Sequence, residues 1–322
     1  MSSDKFKSVS LVLGSGGARG LAHIGVIRYL EEYHYEIRSI AGASIGALIG
    51  GIYAAGKLDD YEQWIRSISK FDMISLLDVA WGRGGLIKGD RIINAMIEMV
   101  GEQVIEELPI QFTAVATDIT RQKEIWFRSG RLFDAIRASM SIPLFFTPFR
   151  YDEADLIDGG VLNPVPVAPT LGDHTDMTLA VNLGGEAEEP VINSRHPAGM
   201  DLEPEREETQ SGDRLSPFRQ KITRLIRYFK KNESSDQERD IGMYELVNQA
   251  LEAMQSAIAR QKLAAYPPDK VIEIARNACG TFDFDLAAPM IDLGYRKAGE
   301  CFRHSSQSCN PGSGLIGSIK KD

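Results

Sequence analysis

Short aliphatic runs alternate with amphipathic stretches over the first 185 positions, and the periods change from two to about 3.6 as the chain advances. Val9 to Leu13 reads as a buried strand, followed by the glycine loop Gly14-Ser15-Gly16-Gly17-Ala18-Arg19-Gly20. Leu21, Ile24, Ile27 and Leu30 then fall on one face of a helix predicted to reach Tyr33. A second strand, Ile37 to Ala41, leads through Gly42-Ala43-Ser44-Ile45-Gly46 into small and aliphatic residues as far as Ala55. Strand, helix, strand, helix implies right-handed crossovers and a mainly parallel sheet flanked by helices, an α/β fold of three layers.

Further along, Leu58 to Lys70 is predicted helical, and a second glycine-rich loop runs from Trp81 to Gly89. Asp90 is placed to cap a helix that ends near Met99. Ile110 to Asp118 and Glu124 to Phe127 read as strands, Leu132 to Ser139 as a short helix stopped before Pro143. The strand Asp155 to Ile157 breaks abruptly at Asp158-Gly159-Gly160, and Met177 to Leu183 is another buried strand. Residues 1–185 are therefore taken as one α/β core.

Beyond residue 185 the pattern is lost. Glu186 to Asp213 holds nine acidic residues against two basic and little that is apolar, the composition of a polar insert expected to span 186–240. Within it, residues 217–231 regain helical spacing: Phe218, Ile222, Leu225, Ile226 and Phe229 share one face, and six Lys and Arg occupy the rest. Such a basic amphipathic helix suits the surface of an anionic membrane, or equally a helix packed on the body through the same stripe. Residues 241–302 complete the domain with a long helix from Met243, a strand at Val271 to Ala275 and a helix at Met290 to Phe302. The Ser- and Gly-rich stretch 303–322 is expected to be a disordered tail.

Composition narrows the classes. With 43% hydrophobic and 25% charged residues the chain is of ordinary globular make-up, and a net charge of -9 argues against general nucleic-acid binding. The three cysteines, Cys279, Cys301 and Cys309, match no zinc spacing, so neither a metal nor a disulfide framework is expected. No segment reaches the roughly 18 apolar residues of a membrane span. A cytoplasmic protein that rests on a membrane surface is the expectation.

The candidate chemistry lies in the turns. Gly-x-Ser-x-Gly between a strand and a helix is the pattern of a nucleophile elbow, with Gly42 and Gly46 leaving room beside Ser44. Ser44 also stands at a helix N-terminus, which favours developing negative charge. The base is either Asp158, at a strand end before Gly159 and Gly160, or a histidine, of which His174 is the serious rival. The glycine loop has two readings: an oxyanion hole, or a phosphate cradle for a nicotinamide-type cofactor. In the second, Gly14, Gly16 and Gly20 fit only a loose spacing, Arg19 occupies the strict third glycine position, and no acid ends the second strand.

Taken together, Gly16-Gly17-Ala18-Arg19-Gly20, Gly42-Ala43-Ser44-Ile45-Gly46, Ala138-Ser139-Met140-Ser141-Ile142-Pro143 and Asp158-Gly159-Gly160 resemble, in order and spacing, the motifs of the patatin-like phospholipases. Gly85-Leu86-Ile87-Lys88-Gly89 makes the resemblance greatest to bacterial members related to neuropathy target esterase. The resemblance implies a phospholipase or lysophospholipase with Ser44 as nucleophile, Asp158 as its base and no catalytic histidine. It implies an oxyanion hole from the N–H groups around Gly16, Gly17 and Ala18, with Arg19 holding the loop and no cofactor needed. Ser15 departs from the family, standing where a first glycine of a Gly-Gly-Gly run is frequent.

Overall fold

The computed structural model describes residues 7–68, 88–188 and 243–303. The chain divides into two units, residues 1–192 with 251–322, and residues 193–250. Of the second unit only 243–250, the first turns of a helix, are described. Residues 85–87, the basic stretch 217–231 and the tail from 304 lie outside the described residues.

The first unit is built on one mixed, mostly parallel sheet. Its strands are β1 (Ser8–Leu13), β2 (Glu36–Ala43), β3 (Gln111–Asp118), β4 (Lys123–Phe127), β5 (Phe149–Tyr151), β6 (Ala154–Asp158), β7 (Met177–Gly185) and β8 (Lys270–Ala275). The order is β5-β6-β3-β2-β1-β7-β8, with β4 paired to β3 in addition. The helices are α1 (Ala22–Glu32), α2 (Ile45–Ala54), α3 (Leu58–Ser67), α4 (Asp90–Val100), α5 (Leu132–Ser139), α6 (Met243–Ala265) and α7 (Ala287–Arg303).

All six residues of β1 are buried, as a strand covered on both faces requires. Val9, Leu11 and Leu13 join the main core with α1, α2, α5 and α7. Val12 turns to the other face and packs with Val165, Val167, Ala180 and Ala259, the last from α6. The alternation along one strand thus defines three layers.

Several boundaries differ from the sequence reading for local reasons. The first helix starts as a 3-10 turn over Gly17–Leu21, because Gly17 takes φ +58. Gly89, in left-handed conformation, takes the N-cap place before α4, and Asp90 lies inside the first turn. The three-residue β5 was not anticipated: it is too short for a periodic signal, and among the described residues it pairs only with β6.

The register of β3 positions the site. β4 pairs with Ala114–Asp118 along one side of β3. β2 and β6 must therefore share the other side, β2 as far as Ala43 opposite Val115 and β6 with Asp158 opposite Ala116. β2 runs parallel to β3 and β6 antiparallel, so their C-terminal ends meet. Residues 44 and 158, more than a hundred positions apart in sequence, become neighbours by this pairing.

Candidate active site

Ser44 sits at the tip of a tight strand-to-helix turn with φ 56 and ψ −125, a backbone conformation that a serine adopts only when its surroundings impose it. Those surroundings are identifiable. A Cβ on Gly46 would stand 2.1 Å from the carbonyl oxygen of Leu13, so only glycine lets the first turn of α2 press onto the end of β1. The Ser44 N–H donates to Ser139 Oγ at 2.9 Å, and Ser139 Oγ donates onward to the Val115 carbonyl at 2.6 Å. The elbow is thereby pinned to β3 through one buried hydroxyl.

Asp158 faces it. Its N–H donates to the Ser141 carbonyl at 2.9 Å and its Oδ1 accepts the Gly160 N–H at 2.7 Å. A Cβ on Gly159 would lie 1.9 Å from the Val115 carbonyl oxygen, which explains the glycine that follows the aspartate. Segment 138–143 therefore braces both groups, Ser139 holding Ser44 and Ser141 holding Asp158. Sequence reasoning recognised that segment without assigning it this role.

Both side chains are 2% exposed. Burial pushes the Asp158 carboxyl up to about 7, against the opposing pull of the Ser44 side chain and the Gly160 N–H. Among the described residues Oδ2 of Asp158 has no hydrogen-bond partner at ordinary distance, yet the Ser44 hydroxyl lies near enough to pull the carboxyl down. Long contacts of this kind are common in unliganded sites. A carboxylate poised near neutrality beside a strained, buried hydroxyl is suited to taking a proton from it.

The glycine loop completes the site. Its N–H groups at Gly14, Ser15 and Ala18 donate to the carbonyls of Val181, Pro164 and Thr281 at 3.0, 2.8 and 2.9 Å. Ala18, expected among the oxyanion donors, is thus committed elsewhere because Thr281 packs directly under the loop. The amides of Gly16 and Gly17 have no acceptor among the described residues. Ser15 is not among the residues with positive φ, so the departure from glycine costs the loop no strain.

Arg19 is buried and holds the loop from behind: Nε donates to the Gly16 carbonyl at 3.0 Å, Nη1 to the Arg276 carbonyl, and Nη2 to Glu252 Oε1 at 3.0 Å. Gly20 and Gly42 serve close packing, a Cβ on the first striking Ile45 and on the second the Gly46 carbonyl.

Among the described residues no histidine is hydrogen-bonded to either side chain of the pair. His23 is buried, its Nε2 donates to the Gly14 carbonyl at 2.9 Å, and burial lowers its pKa to about 4, so it is a neutral brace. His174 is exposed and precedes β7, at the edge of the sheet where the parallel strands begin, whereas Ser44 follows the end of β2. The sheet's length separates them, which removes His174 as the base. Among the described residues no group of three His, Cys, Asp or Glu is placed to hold a metal, and no helix is long and apolar enough to cross a membrane.

An α/β sheet carries a strained serine after its second strand, a buried carboxylate on a returning antiparallel strand and a glycine loop beside them. A family model described as patatin-like phospholipase matches residues 11–171, from β1 through both turns. The chain belongs to the patatin-like phospholipase family. It is 36% identical over 319 residues to an NTE family protein of Mycobacterium bovis, with 89% of each chain covered, and to the same extent to one of Mycobacterium tuberculosis. It is 33% identical over 188 residues to a lysophospholipase of Emericella nidulans, which takes in 55% of this chain and 12% of that protein. Among solved structures, VipD of Legionella pneumophila is similar with a TM-score of 0.47 at 16% identity, over 92% of this chain and 67% of that one.

Proposed function

We propose that the protein is a serine lipid acyl hydrolase of the phospholipase A or lysophospholipase type, acting through a Ser44–Asp158 dyad and an acyl-enzyme. The observation that carries the reading is the strained Ser44 facing a fully buried Asp158 whose pKa stands near 7. The lysophospholipases among its relatives support the lipid ester as substrate.

In this reading Asp158 takes the proton of Ser44 Oγ while the oxygen attacks the ester carbonyl carbon. The negative charge that forms on the carbonyl oxygen is met by the N–H groups of Gly16 and Gly17. Collapse breaks the ester bond, and Asp158 returns the proton to the departing alcohol. A water, deprotonated by Asp158, then attacks the acyl carbon and releases the fatty acid, restoring Ser44. Two free amides suit a single oxyanion better than the diphosphate of a dinucleotide, which draws on several consecutive donors. No observation favours the oxidoreductase alternative.

Access to lipid is assigned to the basic amphipathic residues 217–231, acting as a peripheral contact on the cytoplasmic face of an anionic membrane; the support is their sequence pattern alone. Fatty-acid release from lysophospholipid micelles tests the chemistry. Ser44→Ala should lower it by about 10⁴-fold or more while the melting curve stays in place. Residual turnover with a collapsed melting curve would make Ser44 a structural residue. Co-sedimentation with anionic and neutral liposomes, with and without residues 214–231, tests the membrane contact; equal binding by both forms would remove it.

A further inference from the structure

We infer that Glu252, on α6 and outside the region matched by the family model, is a positioning residue for the oxyanion hole; the inference rests on the hydrolase reading above. Glu252 Oε1 accepts from two groups that hold the loop: Arg19 Nη2 at 3.0 Å and Thr281 Oγ1 at 3.2 Å.

Each of these acts on a different peptide of the loop. The Arg19 Nε donates to the Gly16 carbonyl. That carbonyl and the Gly17 N–H belong to one planar peptide unit and point in opposite directions. Fixing the oxygen from behind therefore fixes the direction of the N–H in front. Thr281, for its part, accepts the Ala18 N–H at 2.9 Å, and a Cβ on Gly17 would stand 2.5 Å from its carbonyl oxygen. Glu252 thus ties together the two groups between which the Gly16–Gly17 peptide is clamped.

The Arg19 side chain is 7% exposed and Glu252 36%. A buried guanidinium left with carbonyls alone would be an under-neutralised charge, free to trade those carbonyls for solvent. α6 itself is anchored independently. Lys262 pairs with Glu124 at 2.6 Å, and Ala259, Leu263 and Tyr266 pack against Val12, Val165, Val167 and Ala180. Removing Glu252 therefore releases the loop and leaves the helix docked.

The test compares Glu252→Ala and Glu252→Gln with the parent in lysophospholipid hydrolysis, and follows hydrogen exchange of the Gly17 and Ala18 amides by NMR. Glu252→Ala should lower kcat roughly ten- to a hundred-fold, less than loss of a whole donor, with KM within about two-fold. Its pH midpoint should stay at that of the parent, since the base is untouched, and both amides should exchange faster. Glu252→Gln keeps an acceptor oxygen and should fall between the two. Should Glu252→Ala lack a cooperative melting transition, Glu252→Gln carries the comparison. Parent-like kcat together with parent-like exchange at Gly17 and Ala18 would overturn the inference. If the parent itself hydrolyses no ester, the hydrolase reading fails, and amide exchange alone still decides whether Glu252 orders the loop.

Discussion

The elbow and the glycine loop lie side by side, yet they are held in opposite ways. The elbow at 42–46 is held from within the family's matched region, by close packing on the Leu13 backbone and by the Ser139 hydroxyl, itself bonded to the Val115 carbonyl. The loop at 14–20 is held by groups from 164 to 281, among them Pro164, Val181, Glu252, Arg276 and Thr281. The elbow's supports lie within its own sheet and the helix beside it, whereas the loop adds to its three backbone bonds a chain of remote side-chain tethers through Arg19 and Glu252 that can change one at a time. The nucleophile is therefore held by neighbouring elements of its own sheet, and the loop beside it in part by side chains from the far end of the chain.

The contrast is most severely tested at the base. Asp158→Asn should abolish the activation of Ser44 and yet make the protein more stable, because the ionised carboxylate is held where burial opposes it. The sign follows from the raised pKa. Both folded and unfolded carboxyls are protonated below about pH 4, the cost of ionising the folded one grows as pH rises, and it is complete above about 7. Denaturation should show no gain for Asp158→Asn at low pH and a gain of up to about 4 kcal/mol at pH 8, from a shift of about three units. A variant equally stable with the parent at both pH values would place Asp158 in a wetter setting.

Gly17→Ala addresses the loop. With φ +58 and a new Cβ 2.5 Å from the Thr281 carbonyl oxygen, alanine must displace the peptide that carries the Gly17 donor. The expected cost is about 10²–10³ in kcat, close to that of a lost oxyanion donor, with Ser44 still modifiable by reactive probes. Unchanged kcat would move the oxyanion site away from this loop. Ser139→Ala is smaller and reads on the elbow: it strands the buried Ser44 N–H and should cost about 1–3 kcal/mol in denaturation. A cost below about 0.5 kcal/mol would mean that the elbow holds its angle without that bond.

The same contrast decides what could be read from the sequence. Elbow, base and loop are contiguous motifs, so their pattern together with the family resemblance singled out Ser44, Asp158, Gly16, Gly17 and Arg19 as candidates. Their supports are tertiary. Glu252 is one acid among the 45 Asp and Glu of the chain until α6 brings it to Arg19, and nothing local marks Thr281 as the acceptor that withdraws the Ala18 amide. His174 stayed a rival for the same reason: which end of a parallel sheet a loop occupies depends on strand direction, and composition carries no record of it. The strand β5 escaped notice because three residues show no period.

The most direct measurement is the rate of fluorophosphonate labelling of the intact protein against pH, with the modified residue mapped by mass spectrometry. A Ser44–Asp158 dyad predicts a single adduct on Ser44, a rate that rises with pH to a plateau through a midpoint near 7, and no adduct in Asp158→Asn. Labelling at Ser44 that persists undiminished in Asp158→Asn, or a protein that takes up no probe even beside liposomes, would contradict the account.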